Sequence, residues 1–249
     1  MEKEFYLQYA SVEDKHWWFV ARRQIIQQVI RKLDLPKNAQ ILEAGCGTGG
    51  NLQMLSRYGQ VSAMELDEIA CQFANQRQVT QVKRGSLPDD IPFNSDYDLI
   101  LILDVIEHLD NDLSALEALY YKLKPGGYLL VTVPAYKFLW SQHDEINHHK
   151  RRYRLKGLKQ VAKKAGYEVN YASYFNTFLF PLVAIVRSLA KLLPKQNKGK
   201  ISSDLVLPSK SVNKILKLLF ASERYFINRF NLPFGVSVLL LAQKPKYEL

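Results

Sequence analysis

The stretch HDEINHHKRRYR, from His143 to Arg154, holds three of the chain's five histidines, four basic residues and the acidic pair Asp144 and Glu145. Histidine exchanges its proton near neutral pH, so this stretch can supply a general base, and its arginines can grip an anion. Upstream, Asp104, Glu107 and His108 are spaced i, i+3, i+4, which puts them on one face if the chain turns helical at Asp104. With His149 they make an oxygen- and nitrogen-rich set able to hold Mg²⁺, Mn²⁺ or Zn²⁺. A third feature is EAGCGTGG, Glu43 to Gly50, in which Gly45, Gly47 and Gly50 satisfy G-x-G-x-x-G. Glycines let the backbone turn sharply and approach a ligand closely. Glu65 lies twenty positions after Gly45, where a carboxylate accepts hydrogen bonds from both hydroxyls of a ribose. These two features locate an adenosine-containing cofactor without naming it.

The elements that must position these residues follow from the apolar pattern. QILEAG reads as a strand, GGNLQMLSRYG as a helix, QVSAMEL as a strand, DEIACQFANQR as a helix and VTQVKRG as a short strand. YDLILILD is a continuous apolar run of strand length, the mark of a strand buried on both faces. Helix NDLSALEALYYKLK, strand YLLVTVP, helix RLKGLKQVAKKAG and strand YEVNYASYF follow, and GVSVLLLAQKP closes the series. Strands alternating with helices at this pitch predict a doubly wound, mainly parallel α/β sheet. The two cysteines, Cys46 and Cys71, lack disulfide or metal spacing and read as reduced thiols, and MEKEFYLQYA lacks the apolar core of a signal peptide.

Three details choose among adenosine cofactors. Glu43 stands inside the strand end, where a dinucleotide site favours small apolar residues and a cationic ammonium would welcome an acid. LDVIEHL after the fourth strand has no role in hydride transfer. The chain ends in a strand pair flanking an insertion rather than in a second mononucleotide half. In order and spacing, ILEAGCGTGG, AMELD, RGSLPDDIPF, YDLILILDVIEHL and LKPGGYLLVTVP resemble the motifs of class I S-adenosylmethionine-dependent methyltransferases, over about residues 38–175 plus the last strand.

This resemblance implies a seven-stranded Rossmann-like sheet with the last strand antiparallel, and S-adenosylmethionine as cofactor. At matching positions, Glu43, Gly45, Cys46, Gly47 and Gly49 would surround the methionine part, Glu65 would hold the ribose, and Leu66 would lie against the adenine. Asp104 and Val105 would line the floor near the sulfonium. Ser86, followed by Leu87, stands where the family often has an Asp contacting the adenine amino group, and a serine can still accept that bond. HWWFVARR, HDEINHHKRRYR and SYFNTFLFPLVAIVR further resemble a bacterial subgroup associated with glycosyltransferases and cell-envelope polysaccharide or lipid genes.

Methyl transfer from a sulfonium is an in-line displacement, so the protein mainly has to align the acceptor and exclude water. The loop after the fifth strand lies at the carboxyl edge of the sheet, where ligands of such folds bind. His149, with His143, is expected to act there as base or substrate ligand, and Arg151, Arg152 and Tyr153 to meet the substrate. His148 stands where the subgroup usually has glycine. The site is expected to work without metal. The set Asp104, Glu107, His108 and His149 keeps the metal alternative open, because it resembles the metal sites of small-RNA 2′-O-methyltransferases and of ubiquinone-pathway O-methyltransferases. Near the N-terminus, Trp17, Trp18 and Arg23 sit on a segment that could fold over the cofactor, with Arg22 or Arg23 meeting the methionine carboxylate.

Charge divides the chain. Residues 1–149 carry 14 Lys+Arg and 20 Asp+Glu, a balance of −6, whereas residues 150–249 carry 20 and 4, a balance of +16. The basic part is expected to face something anionic. The expected organisation is a helical lid over residues 1–37, an α/β domain over 38–173 plus 234–249, and a basic amphipathic cap inserted at 174–233. Within the cap, FLFPLVAIVRSLAKLL is too short to span a bilayer, which needs roughly 20 apolar residues. Residues 210–230 place Val212, Ile215, Leu216, Leu219, Phe220 and Phe226 near one stripe, with the linker PKQNKGKISSDLVLPS before them. Two cationic amphipathic helices suit a membrane interface or the wall of a lipid pocket. Basic residues alternating with aliphatics, and no recognised motif, argue against nucleic acid. The expectation is therefore a cytoplasmic O-methyltransferase at the inner face of the membrane, acting on a lipid-linked, glycan or quinone-like acceptor. The alternatives are a non-catalytic cofactor-binding protein and a membrane-surface interaction protein.

Overall fold

The computed structural model describes residues 3–192 and 206–246. Its strands are β1 (Ala39–Ala44), β2 (Gly59–Glu65), β3 (Val82–Arg84), β4 (Tyr97–Leu103), β5 (Leu123–Pro134), β6 (Glu168–Phe175) and β7 (Ser237–Gln243). They form one sheet in the order β3-β2-β1-β4-β5-β7-β6. The first five pair in parallel, while β7 runs antiparallel to both β5 and β6. This is the expected doubly wound sheet. β4, the continuous apolar run, lies at its centre, and Leu99 to Ile102 are fully buried.

Helices cover both faces. On one, α5 (Asp112–Tyr121) and α7 (Leu155–Lys164) bury Leu116, Leu119, Leu158 and Ala162 against Ile100, Ile102, Leu129 and Val131. On the other, α2 (Trp17–Ile30) lays Ile25, Ile26, Val29 and Ile30 on Ile41, Leu99, Leu101 and Leu130. At about 1.5–3 kcal/mol for each buried aliphatic, α2 is a layer of the core rather than a loose cover. The expected lid therefore divides: α2 is built in, and α1 (Lys3–Val12) with Glu13 reaches the glycine loop. The expected helix after that loop shortens to α3 (Leu52–Leu55), and α4 (Glu68–Gln76) begins at Asp67, whose carboxylate accepts from the backbone N–H of Ile69 and Ala70.

Before β7 come α8 (Phe180–Leu192) and α9 (Lys210–Ser222); residues 193–205 of the linker lie outside the described residues. The expected α9 stripe splits. Leu216 and Phe220 pack toward α2, with Phe220 fully buried, whereas Val212, Ile215, Leu219 and the following Phe226 stay exposed. Asn213 ties α9 down by accepting from Trp17 N at 2.9 Å and donating to Lys15 O at 2.9 Å. No helix among the described residues is long and apolar enough to cross a membrane.

Candidate active site

The chain leaves β1 through Gly45, Gly47 and Gly49, all at positive φ (+77°, +56° and +83°). At Gly45 a Cβ would lie 2.5 Å from Val105 Cγ2, so only glycine lets the loop pass the end of β4. Cys46 beside it is buried. Glu65, at the end of β2, gathers the surrounding N–H groups. Gly47 N donates to one carboxylate oxygen at 2.8 Å, and Leu66 N and Asp67 N donate to the other at 2.9 and 3.1 Å. Burial raises its pKa and these donors lower it again, with a net rise. The loop and the start of α4 are thus stitched to one carboxylate, with the Leu66 side chain exposed beside it. Ser86 makes a paired backbone bridge with Asp90, and Leu87 packs on the core next to it.

Two buried acids face the loop. Glu43 is 1% exposed and accepts from Asn51 Nδ2 at 2.7 Å, and its second oxygen has no hydrogen-bond partner among the described residues. Burial pushes its pKa up to about 7. Glu13, which the sequence reading did not single out, accepts from Thr48 Oγ1 at 2.6 Å and pairs with Arg77. Arg23 donates to Glu13 O at 3.2 Å. Glu13 thereby fastens the end of α1 over the glycine loop from 35 residues away, a distance at which no local motif could announce it.

At the floor, Asp104 sits at φ +56° immediately after β4. Its carboxylate meets Arg22 of α2 at 2.5 Å, and Arg22 also donates to Thr132 Oγ1 of β5 at 2.9 Å. Trp18 stacks on the guanidinium, 5.2 Å from ring centroid to Cζ. Thr132 is a further member the sequence did not mark.

Beyond Asp104 the chain makes a single 3₁₀ turn, Ile106–His108, rather than the helix the i, i+3, i+4 spacing assumed. The turn still carries Glu107 and His108 to His149, whose loop arrives over α6 (Gln142–Ile146). Asp104 does not join them, being held by Arg22. Fully buried Asp144, on α6, accepts from His149 Nδ1 at 2.9 Å, from Arg152 Nε at 2.7 Å and Nη2 at 3.0 Å, and from Ser141 N at 2.8 Å. The His108 and His149 rings stand edge to face at 4.6 Å, and the His143 ring lies 6.0 Å from His149. Burial, and His149 beside it, lower the pKa of His108 to about 4. His148 is exposed at φ +54°, a conformation that suits the glycine of the subgroup pattern.

The three residues expected to meet the substrate are engaged within the protein. Arg152 is consumed by Asp144 and by Ala135 O, to which it donates at 2.9 Å. Arg151 donates to Leu109 O and Asp110 O at 2.9 and 2.7 Å and pairs with Asp112 at 3.3 Å. Buried Tyr153 donates its hydroxyl to Asp112 at 2.6 Å. Their polar groups hold the histidine loop in place.

A sharp glycine turn, a ribose-ready carboxylate and a buried acid with an unpartnered oxygen suit a cationic nucleoside, and a seven-stranded sheet with antiparallel β7 carries them. These features define an S-adenosylmethionine-binding α/β protein. The chain belongs to the methyltransferase-domain family, whose sequence pattern matches residues 17–172. A "Probable S-adenosylmethionine-dependent methyltransferase" of Mycolicibacterium smegmatis is 24% identical over 163 residues, covering 64% of this chain and 62% of that protein. A malonyl-[acyl-carrier protein] O-methyltransferase of Enterobacter lignolyticus is 28% identical over 142 residues, 52% of this chain and 55% of that one. The matches thus span less than two thirds of these relatives. Among solved structures, one in the complex of the Haloferax volcanii Trm112 methyltransferase activator with a methyltransferase superposes with a TM-score of 0.63 at 16% identity, covering 99% of this chain and 96% of that one. The Haemonchus contortus phosphoethanolamine N-methyltransferase 2, solved with S-adenosyl-L-methionine, gives 0.57 at 18% identity, over 89% and 52%.

Proposed function

We propose that the protein transfers the methyl group of S-adenosylmethionine to an oxygen of an acceptor presented near a membrane, such as a lipid-linked, glycan or quinone-like molecule. When bound, the cofactor supplies an electrophilic methyl on a good leaving group. Glu43 and the Gly45–Gly49 loop would hold its amino-acid end, Glu65 its ribose, Leu66, Ser86 and Leu87 its adenine, and Asp104 and Val105 the floor beneath the sulfonium.

The observation that carries the acceptor side is the Asp144–His149 pair. Asp144 fixes the imidazole through Nδ1, which leaves Nε2 to handle an acceptor hydroxyl at the carboxyl edge of the sheet. Presentation of the acceptor near a membrane is supported by the neighbouring wall. α8 rests on the turn at Lys137–Leu139 through Arg187, which donates to Leu139 O at 2.7 Å, and Lys191, which donates to Phe138 O at 2.5 Å. Leu182, Ile185, Val186 and Leu189 of α8 and the nearby Phe138 are each at least half exposed. Lys210 and Lys214 are exposed on α9, so an anionic bilayer would meet both apolar and cationic groups.

The test uses radiolabelled S-adenosylmethionine with bacterial envelope lipid extracts, and vesicles of 30% phosphatidylglycerol for docking. His149→Ala should abolish most label transfer while S-adenosylhomocysteine affinity stays within about twofold. Loss of cofactor affinity in that variant would remove His149 from the acceptor side. Transfer only to water-soluble acceptors, with no vesicle binding, would refute the membrane-presented class.

A further inference from the structure

We infer that a cavity of about 410 Å³ between α2 and α3 binds a phosphate monoester of a small polyhydroxylic molecule, such as a sugar phosphate. Its volume falls within the roughly 300–1,000 Å³ of small-molecule sites. Gly50 and Arg77 close it toward the glycine loop, whereas Glu43, Gly45 and Glu65 do not line it.

The cavity follows from a second stripe on α2. That helix buries Ile25, Ile26, Val29 and Ile30 on the sheet. Val20, Arg23, Gln24 and Gln27 are spaced i, i+3, i+4, i+7, so they share another face. Across the cavity from them stand Gln53 and Met54 of α3 and Arg57 just beyond it. A stripe at this spacing is normally apolar where it packs on a neighbour. Here only Val20 and Met54 are apolar side chains, and among the described residues that line the cavity none is aromatic.

The charge is lopsided. Arg23, Arg57 and Arg77 line the cavity against the single carboxylate of Asp14. Asp14 is 54% exposed and divides itself between Arg23 at 3.4 Å and Arg77 at 3.1 Å, with Glu13 behind on Arg77. Arg57 makes no ion pair among the described residues. The Nε of Arg23 is buried and has no hydrogen-bond partner among them. Burial draws the pKa of Arg23 down even with Asp14 and Glu13 beside it, so a further anion would stabilise its charge. Guanidinium forks with spare donors match the oxygens of a phosphate.

The amides specify the rest of the ligand. Gln24 Oε1 accepts from Arg224, which leaves its N–H groups for another partner. The side chains of Gln27 and Gln53 make no hydrogen bond among the described residues. An amide both donates and accepts, which suits hydroxyl groups. A lining without aromatic rings offers a nucleobase nothing to stack on, and two apolar residues are too few for a lipid tail. The ligand would touch the glycine loop through Arg77, whose Nε donates to Thr48 O at 2.7 Å, and would bind together with the cofactor.

The test is calorimetry on the full-length protein with glucose 6-phosphate, glycerol 3-phosphate, inorganic phosphate and glucose, each with and without saturating S-adenosylhomocysteine. One ester per chain is expected, at least about tenfold tighter than inorganic phosphate because hydroxyl hydrogen bonds add to the oxyanion contacts. Glucose should not bind, and S-adenosylhomocysteine should not displace the ester. Arg57→Gln, at an exposed position, should weaken the ester at least about tenfold. Exposed Lys156→Ala, which removes one charge from α7 on the other face of the sheet, should leave it unchanged. No binding of either ester, esters no tighter than phosphate, or equal affinity in wild type and Arg57→Gln overturns the proposal. Equal weakening by Lys156→Ala and Arg57→Gln also overturns it, since net charge alone would then explain binding. So does competition with S-adenosylhomocysteine, which would make the cavity the methionine end of the cofactor site. Ester binding without S-adenosylhomocysteine binding spares this site and counts against the methyltransferase reading, and the reverse pattern does the opposite.

Discussion

Arg22, on a helix near the N-terminus, reaches Asp104 at the end of the central strand and bonds its carboxylate at 2.5 Å, 82 residues away in sequence. The arginine side chain is 9% exposed and the aspartate 25%, so neither charge is well solvated once alone. Arg22→Met should therefore destabilise the protein by about 3 kcal/mol, because it strands a nearly buried carboxylate. Asp104→Asn in the same chain should return a large part of that loss, read as a double-mutant cycle by urea unfolding. Additive effects of the two substitutions would mean that the pair is incidental.

Glu43 gives the site a pH dependence of known sign. Burial raises its pKa from an ordinary 4.5 to about 7, so between those values the folded chain holds a proton that the unfolded chain has released. Rising pH then favours unfolding across that window, and this contribution to stability, full below 4.5, is gone above about 7. Glu43→Gln should flatten that slope in unfolding curves taken from pH 5 to 8. Because an ionised Glu43 attracts the ammonium of S-adenosylhomocysteine, wild-type affinity should rise over the same range and that of the glutamine variant should not. Parallel pH profiles for the two proteins would clear Glu43 of both roles.

What the sequence could show follows from range. YDLILIL announced a doubly buried strand because seven adjacent residues carry the signal, and Gly45 and Glu65 announced a nucleoside site because a glycine turn and the next strand end are a local unit. The Asp104-x-x-Glu107-His108 spacing puts the three on one face only if the chain turns helical at Asp104. The structure supplies a 3₁₀ turn and removes Asp104, since a partner from residue 22 decides where that carboxylate points. Arg152 and Tyr153 looked like substrate contacts because charge and hydroxyl are visible in sequence, whereas their partners Asp144 and Asp112 become partners only in the fold. The α9 stripe misled for the same reason: helical periodicity names a face, but only Leu216 and Phe220 found a surface to cover.

The Glu13 anchor predicts local rather than global loosening. Its carboxylate, drawn up by burial and held down by Thr48 and Arg77, fastens α1 to the glycine loop, whereas the buried aliphatics of α2 belong to the core. Glu13→Ala should raise amide hydrogen exchange in residues 6–14 at least tenfold (about 1.4 kcal/mol of local opening) and leave the exchange of α2 nearly unchanged. Equal loosening of both helices would show that α1 and α2 open as one unit.

Asp144 carries the heaviest set of contacts in the histidine loop, and its ionisation sets when they hold. Burial opposes the charge, but His149, Arg152 and the Ser141 N–H outweigh it and keep the carboxyl well below the usual range. The sign is the reverse of that at Glu43. Stability from this group is present above its unfolded value of 3.8 and is lost as pH falls toward the depressed folded value. Asp144→Asn should thus cost about 3 kcal/mol at pH 7, since it leaves buried Arg152 without its counterion. The gap between variant and wild type should narrow below pH 4, because the unfolded chain's Asp144 then takes up a proton that the folded carboxylate does not. Arg152→Met, which removes the cation instead, should raise the folded pKa of Asp144 toward its unfolded value and so shrink the pH-dependent part of its contribution. Urea unfolding of the three proteins at pH 7, 5 and 3 separates the outcomes. A gap that stays constant with pH would mean that Asp144 holds the loop by shape and hydrogen bonding alone, with no contribution from its charge.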